Sequence, residues 1–415
     1  MTAETDPRIV YLLAMARALH VSGYPAHRLE SVLAATAARL GVTAQFFSTP
    51  TSLFAAFGLE SRQHTHLLRV EPGNVLLERL DRLHAVGASV QAGTRTPGEG
   101  TAAIAAIMEA PPRWRGVVWL LAAAVSSACA ARFLGGGHME VTGAFAIGLV
   151  IAGLASAASR RAALGRVLTP LAGCIGAMIA GVAAAWFSPA SLPIMLVGGL
   201  IALVPGFVLT VATSELAAGH LVSGTARLTG AIIQLIAMVI GVAIGLAIVT
   251  RFTGALPAPA SSALPFATEW IALLVAPIAL GIVFQAAPAN FGWIVLIALV
   301  GFLGGRLGAS ALGPELGLLV GTLSAGLVNG FLARARGNQG TANMVPALIM
   351  LVPGSVGFRG LIELLNRNVV SGVELAFQTA IMTSSMSAGI LLANALTPAR
   401  GVEGTSVAVG PGEPV

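Results

Sequence analysis

The chain contains no lysine, and few of its residues carry a charge of either sign. Charged residues make up 10% of the sequence and hydrophobic residues 56%, whereas a soluble globular domain carries about 25% charged residues. This shortage of charge excludes an ordinary soluble protein and indicates that a lipid bilayer surrounds most of the chain. All 23 basic residues are arginine. We attribute that bias to a GC-rich coding sequence, and we find no nucleic-acid-binding patch.

Cysteine and catalytic motifs are also scarce. The two cysteines, Cys129 and Cys174, both lie in apolar runs and lack the spacing of a metal or redox pair, so we interpret them as packing residues. HExxH, GxSxG and P-loop strings are absent. The sequence therefore predicts no catalytic residues, no metal and no cofactor. We also expect no secretory signal, because the chain does not open with a basic region followed by an apolar core.

Acidic residues become rare after Arg113. Residues 1–113 hold 10 Arg and 9 acidic residues, which is typical of a folded segment facing water, and the boundary lies near Pro111-Pro112. Apolar periodicity and the positions of Pro and Gly predict the elements of this segment. They are helices at 7–22, 25–40, 73–86 and 101–108 and strands at 44–48, 52–57 and 66–70. We therefore predict a small cytoplasmic α+β domain at 1–113.

Ten apolar stretches follow, each assignable to the roughly 20 residues that a helix needs to cross hydrocarbon. They lie near 117–134, 141–158, 167–187, 192–211, 228–249, 267–285, 291–307, 316–332, 344–361 and 375–396. We assign the first five to a membrane repeat at 114–252 and the last five to a second repeat at 266–398. A proline-rich linker joins the repeats, and 399–415 is predicted to be a disordered tail.

A duplicated string punctuates both repeats. Leu-Val-Pro-Gly occurs at 203–206 and again 148 positions later, at 351–354, and the same interval separates Glu215 from Glu363. Proline and glycine interrupt a helix, and in a membrane such a break is tolerated only where it lines protein or a watery cavity. Because five is odd, the second repeat enters the membrane upside down. The fold class is thus a mainly α membrane protein with two inverted five-helix repeats, whose paired breaks mark a transporter's binding site.

The positions of the arginines favour an orientation with both termini in the cytoplasm. With the N-terminal domain inside, nine Arg flank the cytoplasmic ends of the spans and five flank the external ends, in agreement with the positive-inside rule. We therefore expect a multi-pass protein of the inner (cytoplasmic) membrane.

The breaks and the polar residues beside them are the candidate substrate ligands. Half-helix N-termini suit a carboxylate and freed carbonyls suit an ammonium group, so a zwitterion fits this kind of site. The alternative for each hydroxyl is a bond back to its own helix, and the alternative for Arg359 is snorkelling to the outer interface. The candidates are Pro205, Gly206, Thr210, Thr213, Pro353, Gly354, Ser355 and Arg359.

Glu215 and Glu363 are candidates for coupling transport to an ion or proton. Each follows its Gly by nine residues, which is ~13.5 Å of helix, so we expect both near the membrane interface rather than at its midplane. Gln234, Asn329, Asn343 and Gln378 rank below them. Glycines four residues apart, as at Gly241 and Gly245, are interpreted as close helix packing.

The motifs together resemble those of the threonine/serine exporter family. In the N-terminal part they are Ser22-Gly23, Arg28-Leu29-Glu30, Leu40-Gly41 and Thr49-Pro50-Thr51, and in the membrane part Pro205-Gly206, Ser223-Gly224, Arg227 and Pro353-Gly354-Ser355. The resemblance implies a soluble domain, two five-span units and gradient-driven export of L-threonine and L-serine. The family pattern has an aspartate near Ser214-Glu215 that this chain lacks.

Two alternatives remain open at this point. Related two-chain members of the family look like dicarboxylate exporters, so a small dicarboxylate is a second substrate class. A membrane-anchored enzyme, such as a hydrolase, is the alternative of another kind, because the N-terminal segment holds acid–base material: His20, His27, His64, His66, His84, Arg28 and Glu30. The expected partners are a small amino acid and the bilayer, without nucleic acid, and a homo-oligomer is compatible with the sequence.

Overall fold

An α+β unit forms the N-terminal part of the chain. The computed structural model describes residues 6–59, 63–71, 73, 75–187, 190–256, 262, 264–336, 342–351 and 354–397. The elements of the first unit are α1 (Pro7–Val21), α2 (Ala26–Arg39), β1 (Ala44–Thr49), β2 (Ser52–Phe57), β3 (His64–Arg69), α3 (Leu77–Gln91) and α4 (Pro97–Glu109). The strands form one antiparallel sheet in the order β1-β2-β3.

The local sequence explains where these helices begin and end. The Asp6 side chain accepts a hydrogen bond from the N–H of Arg8 at the start of α1, and Thr96 and Glu99 form a capping box at the start of α4. Helices α1, α2 and α3 bury leucines in one core with the inner face of the sheet. Leu12 of α1 and Leu53 of β2 are examples from the two sides of this core.

The predicted start of the third helix is wrong. Helix α3 begins at Leu77, four residues after the predicted Gly73, and continues to Gln91. Its first N–H groups do not point into solvent, because Leu77 N–H donates to the carbonyl of Phe284 and Glu78 N–H to that of Gln285. A contact with the distant membrane part therefore sets this helix start.

Twelve α-helices follow in the described part of the chain, six in each of two units. The first unit contains α5 (Val117–Phe133), α6 (His138–Ala158), α7 (Ala162–Trp186), α8 (Leu192–Gly199), α9 (Gly206–Ala217) and α10 (Leu221–Thr253). The second unit contains α11 (Ala267–Val283), α12 (Phe291–Leu312), α13 (Pro314–Arg336), α14 (Val345–Leu351), α15 (Gly354–Leu365) and α16 (Val369–Leu396). The predicted tail at 399–415 lies outside the described residues.

The ten predicted spans are not ten uninterrupted helices. In the described part of the chain, seven segments are long and apolar enough to cross a membrane, and three further apolar helices are shorter. The break predicted at Pro205-Gly206 is confirmed, because α8 ends at Gly199 and α9 begins only at Gly206. Neither piece alone reaches the roughly 20 residues of a span. In the second unit, Val352 and Pro353 between α14 and α15 lie outside the described residues, so the second break stays a prediction.

Corresponding helices of the two units have corresponding neighbours. Helix α9 of the first unit packs against α16 of the second, and their equivalents α15 and α10 pack against each other. In the same way, α8 contacts α15 and α14 contacts α9. The contacts between the two units are thus reciprocal.

The ends of α9 and α15 show the duplication in the backbone itself. Gly219 (φ +85°) follows α9, and Arg367, 148 positions later, follows α15 with φ +65°. A positive φ is strained for a residue with a side chain, yet the hydrogen bonds are the same. His220 N–H donates to Glu215 O, and Asn368 N–H donates to Glu363 O, both at 2.9 Å. The second unit therefore keeps the turn without keeping its glycine.

Glycines bring helices together in both units. A Cβ on Gly241 of α10 would collide with the carbonyl oxygen of Pro170 on α7. A Cβ on Gly321 of α13 would lie 2.8 Å from Gly301 O and 3.0 Å from the Cα of Gly305, both on α12. The interpretation of these glycines as close packing is confirmed.

The N-terminal unit docks against both membrane units. The start of α3 meets the end of α11, as described above, and the side-chain amide of Gln285 bonds both the N–H and the carbonyl of Trp114 at 2.8 Å. Asn290 donates to Asp81 at 2.8 Å. Helix α2 reaches α9 of the first unit and, through Arg28, α16 of the second. The domain thus bridges the two repeats at one end of the bundle.

Candidate functional site

The first helix break lies between α8 and α9. Pro205 adopts φ −78° and ψ 36°, outside the helical region, and Gly206 begins α9. The carbonyl of Leu203, freed by the break, accepts a hydrogen bond of 2.8 Å from Nε2 of Gln234 on α10. A break in a membrane needs this kind of compensation. Gln234, a lower-ranked candidate from the sequence, therefore lies at the break as a partner for the backbone.

The first break touches Gly354, the last residue of the second Leu-Val-Pro-Gly string. A Cβ built on Gly354 would lie 2.9 Å from the Cα of Gly206 and 2.7 Å from Cγ1 of Val204. Because one of these neighbours is backbone, a larger residue at Gly354 would force α9 and α15 apart. Helix α9 begins here, so the positive end of its dipole lies beside Gly354. Pro353, the remaining break residue, lies outside the described residues.

The predicted hydroxyls of α9 point towards α16. Thr210 is 1% exposed, and its Oγ1 donates to Gly206 O of its own helix at 3.2 Å. Oγ1 of Thr213 lies 3.1 Å from Leu209 O and 2.6 Å from Oγ of Ser387. Bonding back to the helix and bonding across the interface therefore occur together.

Helix α16 contributes residues that sequence reasoning missed. Oγ of Ser387 donates to Thr210 O at 3.1 Å, the carbonyl of Thr383 lies 3.3 Å from Oγ1 of Thr213, and Sδ of Met386 lies 3.8 Å from Oγ1 of Thr210. We call Thr210, Thr213, Thr383 and Ser387 the hydroxyl cluster, to which Thr383 contributes its carbonyl oxygen, because its own hydroxyl donates to Thr379 O and Ala380 O. Helix α16 carries a Thr-Ser-Ser-Met-Ser run at 383–387, but the run alone does not show which of its residues face α9.

Arg359 is a cation on the helix that begins at the second break. It lies five residues after Gly354 on α15, half-buried, and its Nε is enclosed without a hydrogen-bond partner among the described residues. A guanidinium in apolar surroundings is costly unless it is paired or solvated. Arg359 is therefore available to an anionic ligand. Ser355, also half-buried, directly follows Gly354.

Glu215 lies away from the breaks, at the contact between α9 and the N-terminal domain. It is completely buried, its Oε1 accepts a hydrogen bond of 3.0 Å from Ala26 N–H, and its Oε2 lies 3.1 Å from Nε of Arg227. Ala26 is the first residue of α2, so the carboxylate lies at the positive end of that helix. We call Glu215, Arg227 and Ala26 the latch.

A second carboxylate adjoins the latch. Glu30 accepts a hydrogen bond of 2.7 Å from Ser48 N–H, and its other oxygen lies 3.5 Å from Nδ1 of His220. Burial raises the pKa of the Glu30 carboxyl, and the neighbouring charge of Glu215 acts in the same direction. Docking of the N-terminal domain therefore places two carboxylates close together.

The other predicted polar candidates are scattered. Glu363 is half-buried and accepts a hydrogen bond of 2.7 Å from Asn368, so it does not share the complete burial of Glu215. Gln378 donates to Glu315 at 2.8 Å. Asn329 and Asn343 are buried, with side-chain oxygens that have no partner in the described part of the chain. The structure does not bring these residues to the two breaks.

The histidines of the N-terminal domain do not form a common site. Burial lowers the pKa of His20, His27 and His84 to about 4 in each case, so all three are neutral at pH 7. His64 is exposed, and His66 packs edge-on against Phe57. Among the described residues, no three His, Cys, Asp or Glu side chains lie close enough together to hold a metal ion.

Comparison with known families assigns the chain. The family described as "Putative threonine/serine exporter" matches residues 10–249, and the one described as "Threonine/Serine exporter, ThrE" matches residues 269–396. The chain belongs to the threonine/serine exporter family. The two matches together include the N-terminal domain, both units and both Leu-Val-Pro-Gly strings, so the family resemblance read from the motifs is confirmed. The family is one of membrane exporters rather than enzymes.

Curated relatives of this family member are fungal and much longer. An uncharacterized protein of Schizosaccharomyces pombe is 25% identical over 90% of this chain and 50% of its own length. Proteins named pheromone-regulated membrane protein 10 are 23% identical in Debaryomyces hansenii, over 92% of this chain and 39% of theirs, and 24% identical in Saccharomyces cerevisiae, over 94% and 52%. The chain thus spans about half or less of these relatives. No solved structure matches it.

Proposed function

We propose that this protein is a secondary transporter that exports small hydroxylated amino acids, L-threonine and L-serine, across the cytoplasmic membrane. It works by alternating access and draws on the ion or proton gradient. The family supports export as the activity, and the amino acid, the coupling and the direction are our inference.

The contact between Gly206 and Gly354 carries this proposal. Helix α9 begins there, and if a second half-helix begins at Gly354, as the duplicated string predicts, two helix dipoles favour the carboxylate of an amino acid at this point. Carbonyls freed by the breaks suit its ammonium group, as in other transporters with discontinuous helices. The Leu203 carbonyl, held by Gln234 at 2.8 Å, is one such acceptor.

The exchange of neighbours between the units supports alternating access. If the second unit is inverted relative to the first, as an odd number of spans requires, the α9–α16 and α10–α15 interfaces face opposite sides of the membrane. Opening one while the other stays closed would expose the breaks to one side at a time. We propose ten crossings on this basis, with α8–α9 and α14–α15 each forming one.

The contacts of the N-terminal domain support an orientation with both termini in the cytoplasm. The membrane residues that it contacts are Glu215, Gln285, Asn290 and Asn394, and each follows or precedes a span at the end that the arginine count assigns to the inside. The external ends are held separately, for example by Arg306 and Glu269 at 2.9 Å. A cytoplasmic membrane with the N-terminal domain inside accounts for the contacts at both the inner and the external ends of the spans.

Arg359 favours a second candidate substrate, a small dicarboxylate. An amino acid needs one anionic contact, which the two helix N-termini supply, whereas a dicarboxylate needs two. A guanidinium without a partner, five residues beyond Gly354, could hold the second carboxylate in a two-pronged arrangement.

Counterflow in proteoliposomes distinguishes these substrates. Vesicles holding the purified full chain are loaded with unlabelled L-threonine, L-serine, succinate or threonine amide, and uptake of labelled L-threonine is measured. We expect acceleration by internal threonine and serine only, because the amide lacks the carboxylate. Acceleration of labelled succinate uptake by internal succinate, without any threonine exchange, would instead support the dicarboxylate. Exchange of neither substrate would contradict the proposal.

A further inference from the structure

The two equivalent helix interfaces differ in chemistry. Helix α9 packs against α16, and α15 packs against α10. The first of these interfaces holds the hydroxyl cluster, in which Thr210, Thr383 and Ser387 are 1%, 3% and 2% exposed. Shifting each residue by 148 positions gives its counterpart in the second interface. The counterparts of Thr210, Thr213, Thr383 and Ser387 are Phe358, Leu361, Leu235 and Val239.

Every counterpart is apolar and lies in the packed interior. Phe358, Leu235 and Val239 are 0%, 4% and 6% exposed, and Leu361 packs against the same cluster. The second interface therefore serves as an internal control. It shows that the helix pair packs without hydroxyls at these positions, so helix association does not require the hydroxyl cluster. Burying hydroxyls where aliphatic groups fit is unfavourable unless the hydroxyls have partners.

The position of the cluster relates it to the break. Oγ1 of Thr210 donates to the carbonyl of Gly206, so the cluster begins one helix turn, about 5.4 Å, from the meeting point of the two helices. Thr213 lies farther along α9, about 10.5 Å of helix rise from Gly206. A substrate whose carboxylate lies at the start of α9 would therefore bring its β-hydroxyl to the Thr210 end of the cluster, where Oγ of Ser387 lies 3.1 Å from Thr210 O.

Thr213 and Ser387 are partners that a ligand can replace. Their oxygens lie 2.6 Å apart, and each also lies near a carbonyl, Leu209 O at 3.1 Å for Thr213 and Thr383 O at 2.9 Å for Ser387. When α9 and α16 separate, both hydroxyls lose their mutual bond while keeping a bond to their own helix. A ligand hydroxyl, which both donates and accepts, can take the vacated place.

We propose that Thr210, Thr213, Thr383 and Ser387 form the subsite that recognises the side-chain hydroxyl of the transported amino acid, and that the α9–α16 interface is the side on which the substrate lies. This proposal rests on the proposed function, since it names the group of the substrate that this interface reads. The apolar α10–α15 interface would then close against the substrate without contacting its hydroxyl.

The test is discrimination between L-threonine and L-2-aminobutyrate, which has the same carbon skeleton without the hydroxyl. Full-length protein is reconstituted, and the concentration of each compound that halves counterflow of labelled L-threonine is measured. We expect Thr213→Val and Ser387→Ala each to reduce the preference for threonine by about tenfold, the loss typical of one unmade hydrogen bond. The concentration of 2-aminobutyrate that halves counterflow should not change in these variants. Ser387→Thr, which keeps a hydroxyl at this position, should keep the parental preference for threonine.

Thr322→Val is the matched control. Thr322 is a completely buried threonine whose Oγ1 also contacts α16, 3.3 Å from Met386 O, but it lies on α13. It should leave the preference unchanged. An unchanged preference in both cluster variants, or an equal loss in Thr322→Val, would overturn the subsite while leaving export intact. Failure of the parental protein to exchange any amino acid would instead overturn the proposed function and the subsite with it. If Thr213→Val does not fold, the comparison of Ser387→Ala with Ser387→Thr tests the subsite by itself.

Discussion

Glu215 is the residue through which the N-terminal domain should be held against the first repeat. Its replacement by Ala removes the acceptor of Ala26 N–H and the charge facing Arg227, at 3.0 and 3.1 Å. Losing one partner of a buried ion pair costs about 3–5 kcal/mol, and losing an acceptor at a helix start costs about 1 kcal/mol. Because the Arg227 side chain is 16% exposed, we take about 3 kcal/mol, which corresponds to more than a hundredfold.

Hydrogen exchange of the full-length protein in detergent measures this change. The amides at the start of α2 should exchange up to about a hundredfold faster in Glu215→Ala, since local opening there becomes easier. The centre of α1, for example at Leu12, should remain protected. Arg227→Met combined with Glu215→Ala should restore part of the protection, because no unpaired charge is then left buried.

Glu363→Ala is the control, because Glu363 is the counterpart of Glu215 at the 148-residue interval but is only half-buried and bonds Asn368 instead of α2. It should leave exchange in α2 unchanged. If the amides at the start of α2 exchanged as slowly in Glu215→Ala as in the parental protein, Glu215 would not hold the N-terminal domain in place. Equally faster exchange in Glu363→Ala would contradict this role as well.

Three further predictions concern charge, pH and packing. If Arg359 binds a substrate carboxylate, Arg359→Lys should weaken threonine efflux, because an ammonium group lacks the two-pronged geometry of a guanidinium. Arg359→Ala should weaken efflux more. Efflux by the Lys variant at the parental rate would show that Arg359 only extends its charge to the membrane interface. His84 has a pKa of about 4 in the folded protein, below the 6.5 of an unfolded chain, so the unfolded state binds more protons and stability should fall as pH drops from 6.5 towards 4. His84→Phe should flatten this dependence in thermal unfolding scans, and an unchanged slope would contradict the assignment. Gly321→Leu should lower the yield of folded protein because α12 backbone lies against Gly321, whereas Gly230→Leu, at a position with open space, should not; equal yields would show that this packing is dispensable.

The repeat was predictable because its signal lies within the sequence itself. The 148-residue interval and the Pro-Gly strings predicted paired breaks, and the structure places Gly206 against Gly354. The strand pairs and most helix ends of the N-terminal domain also follow from local turn and capping residues. The predicted start of α4 at Thr101 is wrong, because the Thr96 and Glu99 capping box starts this helix at Pro97. The start of α3 could not be predicted locally, since it depends on carbonyls of Phe284 and Gln285 that are far away in sequence.

Long-range contacts account for what the sequence did not predict. Glu215 was expected at the membrane interface from its distance to the break, yet it is fully buried, because Ala26, 189 residues earlier, covers it. No local pattern connects these two residues. Thr383 and Ser387 show the same difficulty, since they become part of a cluster only when α9 is placed against α16. A comparison of the two repeats position by position could have singled them out.

Counterflow of labelled L-threonine by the parental protein and by Gly354→Ala is the most direct test of a substrate site at the meeting point of the two broken helices. A Cβ at this position would lie 2.9 Å from the Cα of Gly206, so the variant cannot keep Gly354 against the start of α9. At equal reconstitution, we predict exchange by the parental protein and at least a tenfold slower exchange by the variant, which corresponds to about 1.4 kcal/mol. Equal rates for the two proteins, or no exchange by the parental protein, would contradict the account.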